Sequence, residues 1–240
     1  MNIGQGQIRF NAKTHVGRVR KINEDAILVL PDMQIWVVSD GMGGHEGGDF
    51  ASRVVVDSIA ILPPDMAPTE KLGQIRNALQ AAHRTIVEEA ASRHATMGAT
   101  VVALVLADGH FGALWAGDSR LYRLRDDKIE MLTTDHSIVA ALVEAGQMNW
   151  DEAAKHPQSN AITRAVGVGG ELELDKIRGD ALPGDRFLLC SDGLNKYAGI
   201  GELGALLRNV PIEMVTDNLV QMALDRGGAD NVSVIVVDVV

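Results

Sequence analysis

The chain has 240 residues, with 32 Asp and Glu against 22 Lys and Arg, a formal charge of −10. A chain this acidic is poorly suited to nucleic acid or to an anionic membrane surface, where affinity rests largely on neutralising phosphate, but it can concentrate cations. Its lone cysteine, Cys190, excludes a disulfide framework and multi-cysteine zinc sites, and with 46% hydrophobic but only 4% aromatic residues the core must be aliphatic.

The opening MNIGQGQIRF has no basic segment leading into an apolar one, so no secretory signal is predicted. No uncharged apolar run approaches the ~18 residues of a membrane span. The expected setting is the cytoplasm, with no nucleic-acid or membrane partner and a monomeric chain. Strands are predicted at 26–30, 34–38, 100–106, 110–116, 119–125, 128–132, 186–190 and 232–239. Many are apolar at consecutive positions, so both faces should be covered. Asp108-Gly109 marks a hairpin turn, and residues 100–132 read as an antiparallel meander. Helical spacing links Phe50, Val54 and Ile59; Leu72, Ile75, Leu79, Ala82 and Ile86; Ile138, Ala141, Leu142 and Ala145; and Ile212, Val215, Leu219 and Met222, with Gly227-Gly228 as a stop. PPDMAPTE (63–70) reads as a surface loop between two helices. Runs of strands followed by pairs of helices do not fit a doubly wound parallel sheet. They fit an α+β fold with two mainly antiparallel sheets face to face and helices outside. No low-complexity linker or tandem repeat interrupts residues 1–240, so one domain is expected.

Five glycines occupy the eight positions after Asp40 in VVSDGMGGHEGG (37–48). The spacing fits neither the Rossmann fingerprint, since position 46 is Glu, nor a P-loop, since neither Gly44 nor Gly48 is followed by Lys. The same Ser-Asp-Gly recurs once, at 191–193, again directly after an apolar run. Asp118 follows a strand in LWAGDS, and Asp230 precedes one in GGADNVSVIVV. Asp-Gly often only punctuates a turn, but if these strands are neighbours, Asp40, Asp118, Asp192 and Asp230 can converge. Clustered carboxylates repel, and a divalent cation relieves them; an all-oxygen set favours Mg2+ or Mn2+ over zinc. Glu24 and Asp25 precede another strand, and Arg20 lies four residues before Glu24. Its forked guanidinium suits a phosphate.

In order, RKINEDA, VVSDGMGGHEGGDFAS, MGATVVALVL, WAGDSRLYRLR, LTTDHS, NAITRAVGV, LLCSDGL and ADNVSVIVV resemble the motifs of the metal-dependent PPM (PP2C-type) serine/threonine protein phosphatases, the short bacterial single-domain members most closely. The resemblance runs from about Thr14 to Val239. It implies a four-layer α-β-β-α sandwich with a centre holding two Mn2+ or Mg2+ ions at one end. By resemblance, Asp40 bridges both ions, the Gly41 carbonyl binds one, and Asp192 and Asp230 bind the other. Glu24 and Asp25 act mostly through metal-bound waters. Asp118, with Asp192, matches the holder of a third, weaker ion, and Arg20 matches the phosphate-binding arginine. The catalytic set implied is Arg20, Asp40 and Asp192. The glycines would let the Asp40 side chain and the Gly41 carbonyl face one ion, with positions 43 and 44 kept bare beside the metal waters. Animal members carry a histidine where this chain has Met42, which leaves a metal-bound water or His45 to protonate the leaving group. Residues 145–167 fall where bacterial members carry a flap, and Trp150 and His156 there are equally readable as packing and loop residues.

The implied activity is hydrolysis of phosphoserine and phosphothreonine by in-line attack of a metal-bridging water, with a serine/threonine kinase and its targets as partners. Some short bacterial members act in control of type VI secretion. Two other readings are a non-catalytic module on the same fold, which typically loses metal ligands, and a metal-dependent phosphodiesterase, whose usual mixed His and Asp ligands are missing.

Overall fold

Successive side chains of a strand point to opposite faces, so a run apolar at every position needs cover on both sides. The computed structural model describes residues 7–43, 47–149, 152, 156–158 and 161–240. In β3 (Ile35–Met42), Ile35 and Val37 pack with helices, while Trp36 and Val38 pack between two sheets. β5 (Val101–Ala107) repeats the division, with Val101, Ala103 and Val105 on the helix side and Val102, Leu104 and Leu106 on the sheet side.

The first sheet runs β2 (Asp25–Leu30), β3, β5, β6 (His110–Ala116), β9 (Asp175–Asp180), with the short β4 (Gly98–Ala99) paired to β3. The second runs β1 (Ile8–His15), β11 (Val232–Val239), β10 (Arg186–Cys190), β7 (Arg120–Arg125), β8 (Lys128–Met131). Every strand pairing within them is antiparallel. Helices α1 (Gly47–Ala60) and α2 (Lys71–Arg93) cover the first sheet through Val55, Ile59, Ile75, Leu79 and Ile86. Two shorter helices lie elsewhere: α3 (Ile138–Glu144), capped by the Ser137 hydroxyl, and α4 (Asp192–Asn195). Helices α5 (Ile200–Asn209) and α6 (Ile212–Asp225) cover the second sheet through Leu203, Leu207, Val215 and Leu219. The architecture is the expected four-layer α-β-β-α sandwich, but the core is not aliphatic throughout: beneath the helices it is mainly so, whereas Trp36, Phe111, Trp115 and Phe187 pack in the gap between the sheets.

The expected meander over 100–132 is divided. β5–β6 and β7–β8 are both hairpins, but they lie in different sheets. At Asp108-Gly109 and at Asp126-Asp127 both turn residues have positive φ, which closes a tight hairpin. Between β6 and β7 the chain instead crosses from sheet to sheet through Gly117-Asp118-Ser119. Gly117 has φ +107°, and a Cβ there would lie 2.6 Å from Thr100 Cγ2, so only glycine allows the crossing. Residues 63–70 form the expected exposed connection between α1 and α2.

Phe187 is fully buried between the sheets, with its ring centroid 5.3 Å from that of Phe111. Phe187→Ala is expected to cost ~3–5 kcal/mol in urea unfolding, whereas Ile61→Ala, at an 83% exposed position, should stay within about 0.5 kcal/mol.

Candidate active site

Period-two alternation decides where the first two carboxyls go. Ile27 and Val29 of β2, and Trp36 and Val38 of β3, line the gap between the sheets. Asp25 and Asp40 lie on those same faces, one step beyond the apolar residues, and pair directly across the ladder. Both therefore sit at the end of the inter-sheet row. From the second sheet, Ser191 and Ser233 continue the inward faces of β10 and β11. Ser191 Oγ donates to Asp25 Oδ2 at 2.8 Å and accepts from the Ser233 amide at 3.0 Å, which ties the two sheets together beside the carboxyls.

The two Ser-Asp-Gly copies do different work. The first stays within β3, and the Asp40 amide donates to Thr100 Oγ1 at 3.0 Å. The second opens α4, with Ser191 at the N-cap position and Asp192 in the first turn. Glycine is required at both for close backbone approach. A Cβ on Gly41 would lie 2.1 Å from the Gly48 carbonyl oxygen and 2.6 Å from that of Glu24; one on Gly193 would lie 1.8 Å from that of Asn231. At Gly43 the reason differs from the expected one. Its φ is +139° and a Cβ would strike the Thr96 carbonyl oxygen at 2.6 Å, so backbone crowding against Thr96-Met97 demands glycine. Gly44 and His45 lie outside the described residues, as does Trp150.

Asp118 sits on the sheet-to-sheet crossing, which three hydrogen bonds to Thr100 and His136 pin in place. Thr100 Oγ1 and Ser119 Oγ are 2.7 Å apart; the Gly117 amide donates to His136 Nδ1 at 3.1 Å; and the Gly117 carbonyl accepts from the His136 amide at 3.0 Å. Asp230 is held beside β1 and β2 by its neighbour. Asn231 accepts from the Glu24 amide at 2.8 Å and donates to the carbonyls of Val16 and Ile22 at 2.9 and 3.0 Å. The loop bearing Arg20 and Glu24 is thereby fastened to the loop bearing Asp230. Burial raises the pKa of the Glu24 carboxyl beside the start of α1, outweighing the opposing charge of Arg20.

Burial and mutual repulsion dominate the electrostatics. Burial, then the neighbouring carboxylates, push Asp40 well above its usual range. Burial pushes Asp25 up to about 7, against the serine hydrogen bonds and with help from Asp192 and Asp230. Burial, Asp192 and Asp135 do the same to Asp118, also to about 7. Two cations answer them. Arg20 forks onto Asp230, Nε to Oδ1 at 3.0 Å and Nη2 to Oδ2 at 3.1 Å, with half its side chain exposed. Lys196 Nζ lies 2.5 Å from Asp192 Oδ2 and 3.6 Å from Asp230 Oδ2. Burial opposes the Lys196 charge, but Asp192, Asp230 and Asp118 outweigh it and hold its pKa above the usual value.

Of the residues singled out by sequence, Glu24, Asp25, Asp40, Gly41, Asp118, Asp192, Asp230 and Arg20 all come to this one end. Among the described residues, however, no three His, Cys, Asp or Glu side chains are gathered closely enough to hold a metal ion as they stand, and Asp192 and Asp230 are paired with Lys196 and Arg20. The donor set still fits a divalent ion. Asp25 Oδ1 and Asp192 Oδ1 are buried without a hydrogen-bond partner, a costly state for a carboxylate unless a cation satisfies it, and the set is all oxygen. Lys196, Asn231 and His136 were not singled out by sequence. Lys196 was legible as a cation four residues after Asp192, whereas Asn231 and His136 bind backbone groups that only the fold brings near. A groove of about 770 Å³ lies at the opposite end of β10 and β11, and its Arg186 and Arg208 are engaged by Asp238 and Asp127.

Residues 14–227 match the family model described as protein phosphatase 2C. The chain belongs to the protein phosphatase 2C family. It is 35% identical over 235 residues to the serine/threonine protein phosphatase PstP of Mycobacterium tuberculosis; the match takes in 97% of this chain but 45% of PstP, so the chain spans about half the length of that relative. Its fold superposes on PppA, a key regulatory component of T6SS in Pseudomonas aeruginosa, with TM-score 0.90 and 42% identity, over 97% of this chain and 98% of PppA. It also superposes on the catalytic domain of PstP in complex with two manganese ions, with TM-score 0.89 and 33% identity, over 97% of this chain and 98% of that one. As a protein phosphatase 2C chain, it has its carboxyl cluster at the end of the two-sheet sandwich, built from both sheets.

The raised carboxyls make a pH prediction for the chelated protein. Asp118 titrates at about 7 when folded, against an ordinary value of 3.8. The folded chain then holds the extra proton between those values, so the stability this group contributes is present below about pH 4 and lost as pH rises through about 7. Asp118→Asn, neutral throughout, should gain melting temperature relative to the wild type across that window. A pH-independent difference in calorimetry would contradict it.

Proposed function

We propose that the chain is a metal-dependent protein phosphatase that hydrolyses phosphoserine and phosphothreonine monoesters and reverses a bacterial serine/threonine kinase. The observation that carries this is the pair of buried, unpartnered oxygens, Asp25 Oδ1 and Asp192 Oδ1, at a site edged by the solvent-facing Arg20. Asp40, the Gly41 carbonyl, Asp192 and Asp230, with Glu24 and Asp25 around them, would hold two Mn2+ or Mg2+ ions; Asp118 with Asp192 would hold a third, more weakly. When bound, such ions supply acidification of water and neutralise charge on phosphoryl oxygens.

The chain's own residues set up the rest. Ser191 fixes the orientation of Asp25, and the Thr100 hydroxyl fixes the backbone that carries Asp40. Arg20 can turn its fork from Asp230 to two oxygens of a phosphate, which makes it the binding group for the substrate's dianion. Cys190 does not act as a nucleophile: it is fully buried, and burial pushes its thiol up to about 12. Hydrolysis without a phosphocysteine intermediate follows.

Residues 1–240 are read as one catalytic domain with a flap over about 145–167. The described ends of that segment support this: Ile138 N donates to the Ala161 carbonyl at 3.0 Å, Thr163 N to that of His136 at 2.8 Å, and Val166 pairs with Ala99 through both backbone bonds. His156 makes a local turn, accepting from the Gln158 amide at 3.2 Å. No helix among the described residues is long and apolar enough to cross a membrane, and we place a monomer in the cytoplasm, acting on phosphorylated proteins. The likeness to PppA supports a role in control of type VI secretion.

Turnover of p-nitrophenyl phosphate should require added Mn2+ or Mg2+ and disappear with EDTA; full activity after exhaustive chelation would refute the metal reading. On a phosphothreonine peptide at saturating Mn2+, Arg20→Ala should lower kcat/KM roughly ten- to a hundredfold, mainly through KM, the size expected of one charge-assisted contact. Arg20→Lys should recover only part, and unchanged steady-state kinetics in Arg20→Ala would refute the assignment.

A further inference from the structure

The acidic side chains that the second sheet contributes are already neutralised, and by groups of this chain. Lys196 follows α4 at the C-cap, four residues after Asp192, the spacing that brings two side chains onto one helix face. An ordinary pair of that kind lies on the surface and contributes little. This one differs in three ways. The Lys196 side chain is two-thirds covered, at 33% exposure against 15% for Asp192. Its ammonium also reaches Asp230, 34 residues further along and on another loop. Finally, these are the two carboxylates that the reading above gives to one divalent ion.

Asp192 Oδ1 is left free of Lys196, which takes Oδ2 at 2.5 Å, so the conflict with an ion is one of charge: two cations on a shared carboxylate pair repel each other. Arg20 is a lesser obstacle. It touches Asp230 alone and is half exposed, so it can withdraw into water. Lys196 touches both carboxylates and leaves a less hydrated position. We propose that Lys196 is a built-in competitor for the divalent ion at Asp192 and Asp230: it serves as counter-cation to the same two carboxylates, and its charge opposes entry of the ion. The inference rests on the metal reading above. Under it, Lys196 stabilises the metal-free fold and weakens metal affinity by the same interaction, so it sets the free-ion concentration at which the centre fills.

The test is calorimetric titration of Mn2+ into the chelated, dialysed full chain, for the wild type, Lys196→Met, Lys196→Gln and Lys196→Arg, with melting temperatures taken before and after loading. Lys196→Met, which keeps most of the stem and removes the charge, should bind Mn2+ roughly tenfold more tightly, the size of one charge-assisted contact. Its metal-free form should melt lower than the wild type, and the gap should close on Mn2+ loading. Lys196→Gln serves the same purpose if the Met variant does not fold without ions. Lys196→Arg should bind Mn2+ about as weakly as the wild type. Equal or weaker affinity in the neutral variants would overturn the inference alone. Absence of Mn2+ binding to every protein would remove the metal reading and this inference together.

Discussion

Repulsion among carboxyl groups held out of water is the constraint on which the rest of this structure depends. Asp25 and Asp40 are paired across two strands on the inward face of a sandwich, and Asp192 and Asp230 approach from the opposite sheet. Left to themselves, such groups would pull in water, take up protons or spread apart. The surroundings limit the spreading. Ser191 bridges the sheets, Thr100 and His136 fix the crossing that bears Asp118, and Asn231 fastens the loop of Arg20 and Glu24. Repulsion that the backbone does not relieve is met by charge, from Arg20 and Lys196 and, in the functional reading, from a divalent ion.

Close backbone packing is the other half of that arrangement. Three chain segments meet at Gly41, where the carbonyls of Glu24 and Gly48 leave no space for a methyl group. The same holds where Gly193 meets Asn231. With no side chains between them, β2, β3, the start of α1 and the start of α4 bring their polar ends within a few ångströms of each other. Asp25, Asp40 and Asp192 therefore owe their positions to strands and a helix end, while Glu24, Asp118 and Asp230 sit on the short connections directly beside them.

Much of this was legible in the sequence, for physical reasons that also explain what was not. Strands covered on both faces, such as VVALVL and FLLC, announce themselves by consecutive apolar residues. β1 and β9 do not. Each lies at the edge of its sheet, and IRFNAKTH and DKIRGD carry charges on their open faces, so neither has a period strong enough to read. α5 was missed for a related reason, since Gly201 and Gly204 dilute its apolar stripe; Gly204 is there because it packs against Ile129. The meander was misassigned because a hairpin and a sheet-to-sheet crossing look alike in one dimension. The carboxyls were found as strand-end aspartates. Their neutralising partners were harder to find: Arg20 and Lys196 become neighbours only because Asp230 stands between them, more than 200 residues from the first and 34 from the second.

The pairing of β1 with β11, in register from Ile8 opposite Val239 to His15 opposite Val232, bears on how the protein comes into being. The second sheet places its earliest strand against its latest, and β10, β7 and β8 join only through that latest strand. During synthesis the first sheet and its helices can assemble while the ribosome is still at work, since β2, β3, β5 and β6 are near neighbours in the chain. The sheet that brings Asp192 and Asp230 to the centre cannot close until translation has run through Val239. A nascent chain that has not reached β11 therefore exposes half a sandwich, and the carboxyl cluster is assembled all at once, when β11 joins.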